Sequence, residues 1–329
     1  MRLLPLLGSA VLLFPALAAA RPAELDARDQ TILSSSPDVV DSDAETGVAT
    51  LDWEGETPGT GHLSQWSKQN KEDFLAALRN NSAGDWIVVQ GNEAGDLDSM
   101  VSALALSYMY THLPEPQKAV ALLQTEEDAL DLRPENSLAL AYAHMASRHR
   151  DLLTIDELPI KPDELGHRIK GIALVDHNVP RSQWAGSEVV AIIDHHEDRG
   201  IANGTANPRV VERSGSCTSL VTRYILEQLP GAAQAYPLPE GAVANGGLNA
   251  EMHGPLPTEL IELLLRAIAI DTSGLAKDAY QPVDKESAER IFTRSSWKHR
   301  SLQTTMKLLD KDLSVSRKAL HGLDVRSLV

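Results

Sequence analysis

The sequence predicts an α/β fold, in which a mostly parallel β-sheet carries helices on both faces. Two stretches in the middle of the chain, Gly171 to Val175 and Val189 to Ile193, are apolar at every position, and each leads into an aspartate. Strands that are buried on both faces have this pattern, because helices cover both sides of a parallel sheet. Helical patterns alternate with such strands elsewhere in the chain, as in βαβ units.

The stretch after Asp85 predicts a strand, a turn and a helix in succession. Trp86 to Gln90 is a short apolar run, a polar turn with Gly91 and Gly95 follows, and an apolar pattern without Gly or Pro comes next. The expected N-cap of this helix is Asp98 or Ser99, because short polar side chains satisfy the free N–H groups of a first helical turn.

The remaining elements follow from similar patterns. A second apolar run predicts another strand, and amphipathic or strongly apolar stretches bounded by Gly or Pro predict helices. The strand is Ala119 to Gln124, and the helices are Ser67 to Leu78, Glu126 to Met145 with a break at Arg133-Pro134, Ser216 to Leu229, and Leu260 to Ile270. A loop rich in Gly and Pro, Pro237 to Pro257, separates the last two helices.

Composition divides the chain into four segments. Residues 1–20 have the basic start, apolar stretch and small-residue end of a secretory signal peptide, and this run is shorter than the roughly 20 apolar residues of a membrane-spanning helix. Residues 21–61 are acidic and lack periodicity, which predicts a disordered leader. Residues 62–279 hold the predicted α/β domain, and residues 280–329 are polar and helix-prone. We therefore expect a secreted or vacuolar protein without stable membrane insertion.

Charge and cysteine content exclude several classes of partner and site. The formal net charge is −16, and an acidic surface repels nucleic acid, so we expect no nucleic-acid partner. The single cysteine, Cys217, excludes an intramolecular disulfide and a cysteine-rich zinc site. The sequence gives no indication of the oligomeric state.

Acidic residues end or follow four apolar elements. Asp96 and Asp98 follow the first strand, Asp176 and Asp194 follow the two central runs, and Asp271 ends an apolar helix. Because the carboxyl ends of parallel strands lie at one edge of a sheet, these side chains can converge. Each aspartate alone is better explained as a helix cap or a solvated turn. Their recurrence in this order is what indicates a site.

His195 and His196 directly follow the last of these strands and add nitrogen ligands to the carboxylates. Such a ligand set suits Mn²⁺, Mg²⁺ or Co²⁺ better than a metal that prefers thiolates. Carboxylates can bridge two metal ions, and a metal pair activates water for in-line displacement at phosphorus. The alternative for each histidine is a hydrogen-bonded side chain near the edge of the sheet.

Four short motifs occur in a fixed order along the chain. They are Gly91 to Ser99, Leu174 to Asn178, Asp194-His195-His196, and Ala269 to Thr272. Together they resemble the four motifs of the DHH phosphoesterase superfamily. Within it, the chain is similar to the branch of fungal exopolyphosphatases and prune proteins, close to the manganese-dependent (family II) inorganic pyrophosphatases. Arg133-Pro134-Glu135 and Gly215 to Ser219 also resemble this branch. The resemblance runs from about residue 63 to the C-terminus and implies a Rossmann-like N-terminal DHH domain.

The resemblance also implies a set of metal ligands. Asp96 and Asp176 would hold one ion. Asp98, Asp176, His195 and Asp271 would hold a second, so that Asp176 bridges the two. The ions would be Mn²⁺, with Mg²⁺ or Co²⁺ as alternatives.

Further residues are implied to act on the substrate. His196 would contact the substrate phosphate. Asn92 occupies the position of a metal-binding histidine in the pyrophosphatases, but it resembles the exopolyphosphatase form and would orient the attacking water. The backbone N–H groups of Gly215, Ser216 and Thr218, at a helix start, would bind a phosphate or would only form a tight packing turn.

The expected function is divalent-metal-dependent hydrolysis of phosphoanhydride bonds. We expect an exopolyphosphatase that releases phosphate from polyphosphate ends by two-metal activation of water. The first alternative is an inorganic pyrophosphatase or another DHH phosphodiesterase. The acidic surface and the lack of an aromatic stacking platform disfavour a nuclease or a cyclic-dinucleotide phosphodiesterase.

The C-terminal segment raises a further alternative. Members of the resembled family have a second domain that closes over the site and supplies Arg and Lys to the phosphates. Residues 280–329 resemble the helical linker toward that domain, and we expect the closing domain to be absent. The chain would then be a non-catalytic secreted protein that binds metal or phosphate. The cytoplasmic location usual in the family conflicts with the signal-like start.

Overall fold

A parallel sheet of six strands forms the centre of the protein. The computed structural model describes residues 57–130, 132–229 and 256–318. The strands are β1 (Ile87–Gln90), β2 (Ala119–Leu123), β3 (Leu153–Thr154), β4 (Gly171–Val175), β5 (Val189–Asp194) and β6 (Arg209–Val211). They lie in the order β3-β2-β1-β4-β5-β6, and every neighbouring pair is parallel. The predicted mostly parallel α/β sheet is confirmed.

Helices connect and follow the strands. In chain order they are α1 (His62–Arg79), α2 (Leu97–Thr111), α3 (Glu127–Leu130), α4 (Pro134–Tyr142), α5 (Pro162–Leu165), α6 (Cys217–Gln228), α7 (Thr258–Asp271), α8 (Pro282–Phe292) and α9 (Leu302–Lys318). Each predicted helix is present, and the predicted break at Arg133-Pro134 separates α3 from α4.

The buried strands explain the continuous apolar runs in the sequence. All residues of β1, β2 and β4 are buried. Val88, Val120 and Ile172 form one core cluster with Phe74 of α1. The alternate strand residues point to the opposite face, on which α2 contacts β1, β2 and β4 and α6 contacts β5. Helices therefore cover both faces of the sheet.

The strand order fixes where a ligand site can form. From β1 the chain adds β2 and then β3 on one side of the sheet. From β4 it adds β5 and then β6 on the other side. The reversal lies between β1 and β4, which pair from Ile87 with Gly171 to Gln90 with Leu174. At such a reversal, the loops that follow the two neighbouring strands go to opposite faces of the sheet. A crevice therefore opens at the carboxyl ends of β1 and β4.

The N-cap of α2 was predicted at Asp98 or Ser99, and this prediction was wrong. Asp96 is the cap, and its side chain accepts a hydrogen bond of 3.0 Å from the Ser99 N–H. Asp98 is instead a residue of the first helical turn, where its side chain turns toward α6. The local sequence allowed several caps, and the contact with α6 decided between them.

Two strands and one helix were not predicted. β3 has two residues, β6 has three half-buried residues, and α5 has four. Elements this short carry no periodicity that distinguishes them from loops. Their positions are set by pairing with β2 and β5 and not by a local pattern.

The last helices pack onto the sheet domain. α8 contacts α6 and α7, and α9 contacts α7 and α4. Met306, Leu309 and Leu313 form the buried stripe of α9. The helices predicted after residue 280 are thus attached through apolar contacts.

Several predictions concern parts of the chain outside the described residues. They include the signal peptide at 1–20, the leader at 21–56, most of the loop at 237–257, and the linker at 319–329. Among the described residues, no helix combines the length and the hydrophobicity that a transmembrane span requires.

Candidate active site

The carboxyl edge of the sheet gathers the predicted site residues beside the reversal of strand order. Asn92 follows β1, Asp176 follows β4, and Asp194 ends β5. Because β1 and β4 are neighbours, the loops after them meet. Asn92 Nδ2 donates a hydrogen bond of 2.6 Å to Asp176 Oδ2, and Asn92 Oδ1 accepts one of 2.9 Å from the Ala94 N–H.

Asp176 lies at the centre of this edge. Its φ of 61° is in the left-handed region, which residues other than glycine seldom adopt and which recurs at functional sites. Its side chain is buried, and Asn92 occupies Oδ2. Oδ1 has no hydrogen-bond donor of good geometry among the described residues, although His195 Nε2 lies 3.0 Å away. A buried carboxylate oxygen in this state needs a further partner.

The orientation of His195 indicates what that partner is. Its Nδ1 lies 3.1 Å from the Ser214 carbonyl. A carbonyl can only accept, so Nδ1 carries the hydrogen, and the Nε2 lone pair of a neutral His195 faces Asp176 Oδ1. Two acceptor atoms at 3.0 Å repel each other unless a proton or a metal ion lies between them.

In the metal-free protein a proton takes this place. Burial lowers the pKa of His195, but the hydrogen bond to Asp176 and the charge of Asp98 outweigh it and raise that pKa to about 9. Burial and the charge of Asp98 also raise the pKa of Asp176 to about 7. The pair therefore holds a proton at neutral pH, which a divalent ion would displace.

Asp194 orients both histidines. It is fully buried, and its Oδ1 accepts hydrogen bonds of 2.8 Å from the backbone N–H of His195 and from His196 Nδ1. Its Oδ2 accepts one from Asn178 Nδ2. Since Nδ1 of His196 is engaged, Nε2 remains for a ligand. Sequence analysis assigned no role to Asp194 or Asn178, although both stand inside the quoted motifs.

The other predicted carboxylates lie near this centre. Burial and the charges of Asp98, Asp96 and Asp176, in that order, raise the pKa of Asp271 well above its usual value. The charges of Asp98 and Asp96 likewise contribute to the raised pKa of Asp176. The four predicted metal-binding carboxylates are thus close enough for their charges to interact, whereas the candidate metal group among the described residues contains only Asp176 of the four, with His195 and His196.

Asp98 has a second set of partners at the start of α6. Its Oδ1 accepts hydrogen bonds of 2.7 Å from Ser216 Oγ and from the Thr218 N–H. Its Oδ2 accepts one of 2.7 Å from the Cys217 N–H and lies 3.9 Å from His195 Nε2. A carboxylate oxygen has two lone pairs, so Oδ2 can cap the helix and still face the site.

The predicted phosphate-binding turn is already bonded to carboxylates. The backbone N–H groups of Gly215 and Ser216 donate to Asp284, at 2.7 and 3.2 Å, and the Thr218 N–H donates to Asp98. The arrangement is the packing turn that sequence analysis kept as the alternative. A phosphate would have to displace a carboxylate to bind these groups, and their role in substrate binding stays a prediction.

The donor atoms fit a divalent metal ion. Ligand atoms of Asp176, His195 and His196 all lie within 4.8 Å of one another. Carboxylate oxygens and imidazole nitrogens suit Mn²⁺, Mg²⁺ or Co²⁺. His196 was predicted to contact phosphate, and here it also stands among the candidate ligands. The number and identity of the ions stay predictions.

Four side chains hold the turn that carries Asn92 and Asp96. Each donates a hydrogen bond to a different backbone carbonyl of this turn. They are Gln124 to Gly91 (2.7 Å), Thr125 to Glu93 (3.2 Å), Arg133 to Ala94 (2.7 Å) and Asn136 to Gly95 (2.8 Å). Only Arg133 stands in one of the sequence motifs, because carbonyl partners 32 to 41 residues away leave no local pattern.

The site opens into a pocket of about 470 Å³. Asn92, Asp176 and His196 line it, together with two basic side chains, Arg181 and Arg199. Neither arginine was predicted as a site residue. Pockets of this size hold small ligands.

Known proteins are similar to this chain in sequence. The protein of Schizosaccharomyces pombe named "Putative exopolyphosphatase" is 30% identical over 251 residues, which are 74% of this chain and 60% of that protein. Exopolyphosphatase PRUNE1 of Bos taurus is 37% identical over 148 residues, 44% of this chain and 31% of the bovine protein. The chain thus spans less than two thirds of the length of either relative.

A solved structure is also similar. The crystal structure of a Methanococcus jannaschii protein, described as a "putative family II inorganic pyrophosphatase", aligns with a TM-score of 0.44 at 21% identity. The alignment covers 69% of this chain and 61% of the other.

One match begins at the residue before β1 and ends within α7. Residues 86–268 match the N-terminal domain of the DHH family. This region contains Asp176, the motif Asp194-His195-His196 and the crevice between β1 and β4, and it makes up more than half of the chain. The chain therefore belongs to the DHH family.

Proposed function

We propose that this chain hydrolyses phosphoanhydride bonds with the help of divalent metal ions, and that it releases phosphate from the ends of inorganic polyphosphate. Inorganic pyrophosphate is the alternative substrate. The observation that carries the proposal is that ligand atoms of Asp176, His195 and His196 lie within 4.8 Å of one another at the carboxyl edge of the sheet, with His195 Nε2 3.0 Å from Asp176 Oδ1. The names of the relatives, exopolyphosphatase and family II inorganic pyrophosphatase, support the substrate class.

The metal would be held by carboxylates and imidazole at the carboxyl edge of the sheet. The proposed ligands are Asp96, Asp98, Asp176, His195 and Asp271. Bound divalent ions, two in our proposal, would lower the pKa of water and offset the negative charge of the phosphates. Mn²⁺ is the proposed ion, with Mg²⁺ or Co²⁺ as alternatives.

The protein's own side chains would position and polarise the substrate. Asp194 holds His196 through Nδ1, so that Nε2 faces the pocket and would donate a proton or hydrogen bond to the phosphate. Asn92 uses its amide to fix Asp176, at 2.6 Å from Oδ2. We therefore propose that Asn92 acts mainly on the orientation of Asp176, in addition to the role toward water that the family resemblance implies.

The decisive experiment compares phosphate release under defined metal conditions. The full chain would be incubated with polyphosphate, pyrophosphate or a cyclic dinucleotide, in Mn²⁺, in Mg²⁺ or in EDTA. We expect release from polyphosphate in Mn²⁺ and none in EDTA. Release that persists in EDTA would refute the metal dependence. Binding of Mn²⁺ without hydrolysis of any of the three substrates would refute the proposed activity.

A further inference from the structure

The pocket contains two arginines that the metal ligands do not explain. Arg181 follows β4 by a short loop, and Arg199 follows β5. Because β4 and β5 are paired neighbours, their loops leave the sheet side by side and both arginines reach the pocket of Asp176. The pocket therefore contains two guanidinium groups beside its carboxylate centre.

Each arginine is paired with an exposed glutamate. Arg181 Nε lies 2.7 Å from Glu93 Oε2, and Arg199 Nη2 lies 3.1 Å from Glu197 Oε2. The side chains of these glutamates are 64% and 77% exposed, and both glutamates line the same pocket. Exposed pairs of this kind contribute about 0–1 kcal/mol, so another anion can replace the glutamate at little cost.

The loop that carries Arg199 is fixed in place by Asn178. This buried side chain accepts a hydrogen bond of 3.0 Å from the Arg199 N–H and donates to Asp194 and to the Glu197 carbonyl. The backbone at Arg199 is therefore tied to the same aspartate that orients His196. A change in the position of His196 and a change in the position of Arg199 are not independent.

We propose that Arg181 and Arg199 bind phosphate groups of an inorganic polyphosphate chain next to the phosphate that His196 and the proposed metal ions at Asp176 would hold. This inference rests on the proposed function. Guanidinium groups match phosphate oxygens in a two-point geometry. The exposed glutamate that each arginine now contacts can be replaced at little cost, and a polyphosphate chain brings several phosphates to the two arginines at once. On binding, the chain of phosphates takes the places of Glu93 and Glu197.

The composition of the pocket favours an inorganic chain over a nucleotide. Among the described residues that line it, none is Phe, Tyr or Trp. A nucleobase would lack the stacking surface that proteins usually offer to it. Repeated phosphates, by contrast, would meet one cation after another.

The test separates the arginine contacts from a general effect of charge. Arg181→Gln and Arg199→Gln are each expected to raise the KM for polyphosphate about fivefold or more, with kcat within about twofold, because the contact lies outside the reacting phosphate. Arg168→Gln is the matched control. Arg168 has the same 40% side-chain exposure as Arg181 and also pairs with one glutamate, but it lies near the amino end of β4 and does not line the pocket.

A substitution of the opposite sign sharpens the test. Glu93→Gln removes the competing carboxylate from Arg181 and is expected to lower the KM for polyphosphate about two- to threefold. If substitution at this pair acted only through a steric effect, Arg181→Gln and Glu93→Gln would not change the KM for polyphosphate in opposite directions.

Equilibrium binding keeps this inference distinct from the proposed activity. The dissociation constant for inorganic tripolyphosphate would be measured in EDTA, where the proposed enzyme is inactive, for the wild type and all four variants. We expect Arg181→Gln and Arg199→Gln to weaken binding at least threefold, and Arg168→Gln to leave it unchanged.

If the wild type binds tripolyphosphate in this way but releases no phosphate in Mn²⁺, the activity is refuted and the arginine site stands. If the arginine variants match Arg168→Gln in both assays, or the wild type binds no tripolyphosphate, the arginine site is refuted.

Discussion

Two buried aspartates on the same side of the molecule, Asp176 and Asp284, have opposite surroundings. Asp284 is fully buried and accepts hydrogen bonds from three backbone N–H groups, those of Gly215, Ser216 and Gln281. Asp176 is 2% exposed, so it is nearly as deeply buried, yet among the described residues no backbone N–H group donates to its side chain, which contacts Asn92 through Oδ2 and His195 Nε2 through Oδ1.

The two aspartates differ in their hydrogen-bond donors and not in their burial, and this difference distinguishes a structural carboxylate from a candidate metal ligand. A carboxylate with several N–H partners is stabilised by the protein alone. A buried carboxylate with too few partners keeps its proton or requires a cation. Asp98 belongs to both groups, because it caps α6 and lies 3.9 Å from His195 Nε2.

The largest expected effect comes from Asp176→Asn. We expect phosphate release in Mn²⁺ to fall about 10³-fold or more, because loss of a central metal ligand removes several kcal/mol of transition-state stabilisation. The metal-free variant should be as stable as the wild type or more stable, since a neutral amide relieves an unsatisfied buried carboxylate. Thermal unfolding in EDTA measures this. A substantial fall in the metal-free unfolding temperature would mean that Asp176 is a structural residue like Asp284.

Asp284→Ala tests the other member of the comparison. Three backbone donors lose their acceptor, so we expect the free energy of unfolding to fall by about 2–3 kcal/mol in urea titrations. Mn²⁺ affinity, measured by calorimetry on the folded variant, should stay within about threefold of the wild type. An unchanged stability together with lost Mn²⁺ binding would reverse the roles given to the two aspartates.

The dependence of stability on pH gives a smaller effect with a defined sign. In the metal-free protein the pKa of His195 is raised to about 9, so its contribution is complete below about pH 6.5 and is lost as pH rises toward 9. The raised pKa of Asp176 acts in the same direction up to about pH 7, because the folded state keeps a proton that the unfolded state releases. His149, whose pKa burial lowers to about 4, acts in the opposite direction near pH 6.5, where it is half protonated in the unfolded state, and this effect fades above about pH 7.5.

We therefore expect the metal-free protein to lose up to about 2 kcal/mol of stability between pH 6.5 and 8, the limit for one proton over this interval. Urea unfolding in EDTA at several pH values measures the slope. His195→Gln should flatten it, and Asp284→Ala should leave it unchanged. If the stability of the wild type rises with pH over this interval, the shared proton between His195 and Asp176 is contradicted.

The comparison also explains what could be predicted from sequence. The location of the aspartates that follow β1 and β4 at one edge of the sheet could be predicted, because the strands produce continuous apolar runs and a parallel sheet places their carboxyl ends together. Their role as site residues stays a prediction. The direction of each side chain could not be predicted in this way. The contact of Asp98 with α6 joins residues about 120 positions apart, and the local pattern allowed it to be a helix cap.

Supporting residues were harder to predict than ligands. Asp194 stood inside a motif, but its role depends on Asn178 and on the ring nitrogen that His196 presents, and both follow from tertiary structure. The four donors to the Asn92 turn come from the end of β2 and the start of α4. Only the register of those elements brings them beside the turn.

One of these donors, Asn136, gives the smallest expected effect and extends the comparison from the carboxylates to their support. Asn136 Nδ2 donates to the Gly95 carbonyl at 2.8 Å in a buried setting, and Gly95 directly precedes Asp96. A single buried hydrogen bond contributes about 1 kcal/mol, so Asn136→Ala should weaken Mn²⁺ binding about fivefold through the position of Asp96. Thr125→Val, which removes a longer and more exposed bond to the same turn, is the control and should change affinity less than twofold. Equal losses of affinity in both variants, measured by calorimetry, would mean that the turn responds to any change in its surroundings. A loss confined to Asn136→Ala would show that a neutral side chain holds a charged ligand in place from outside the metal site.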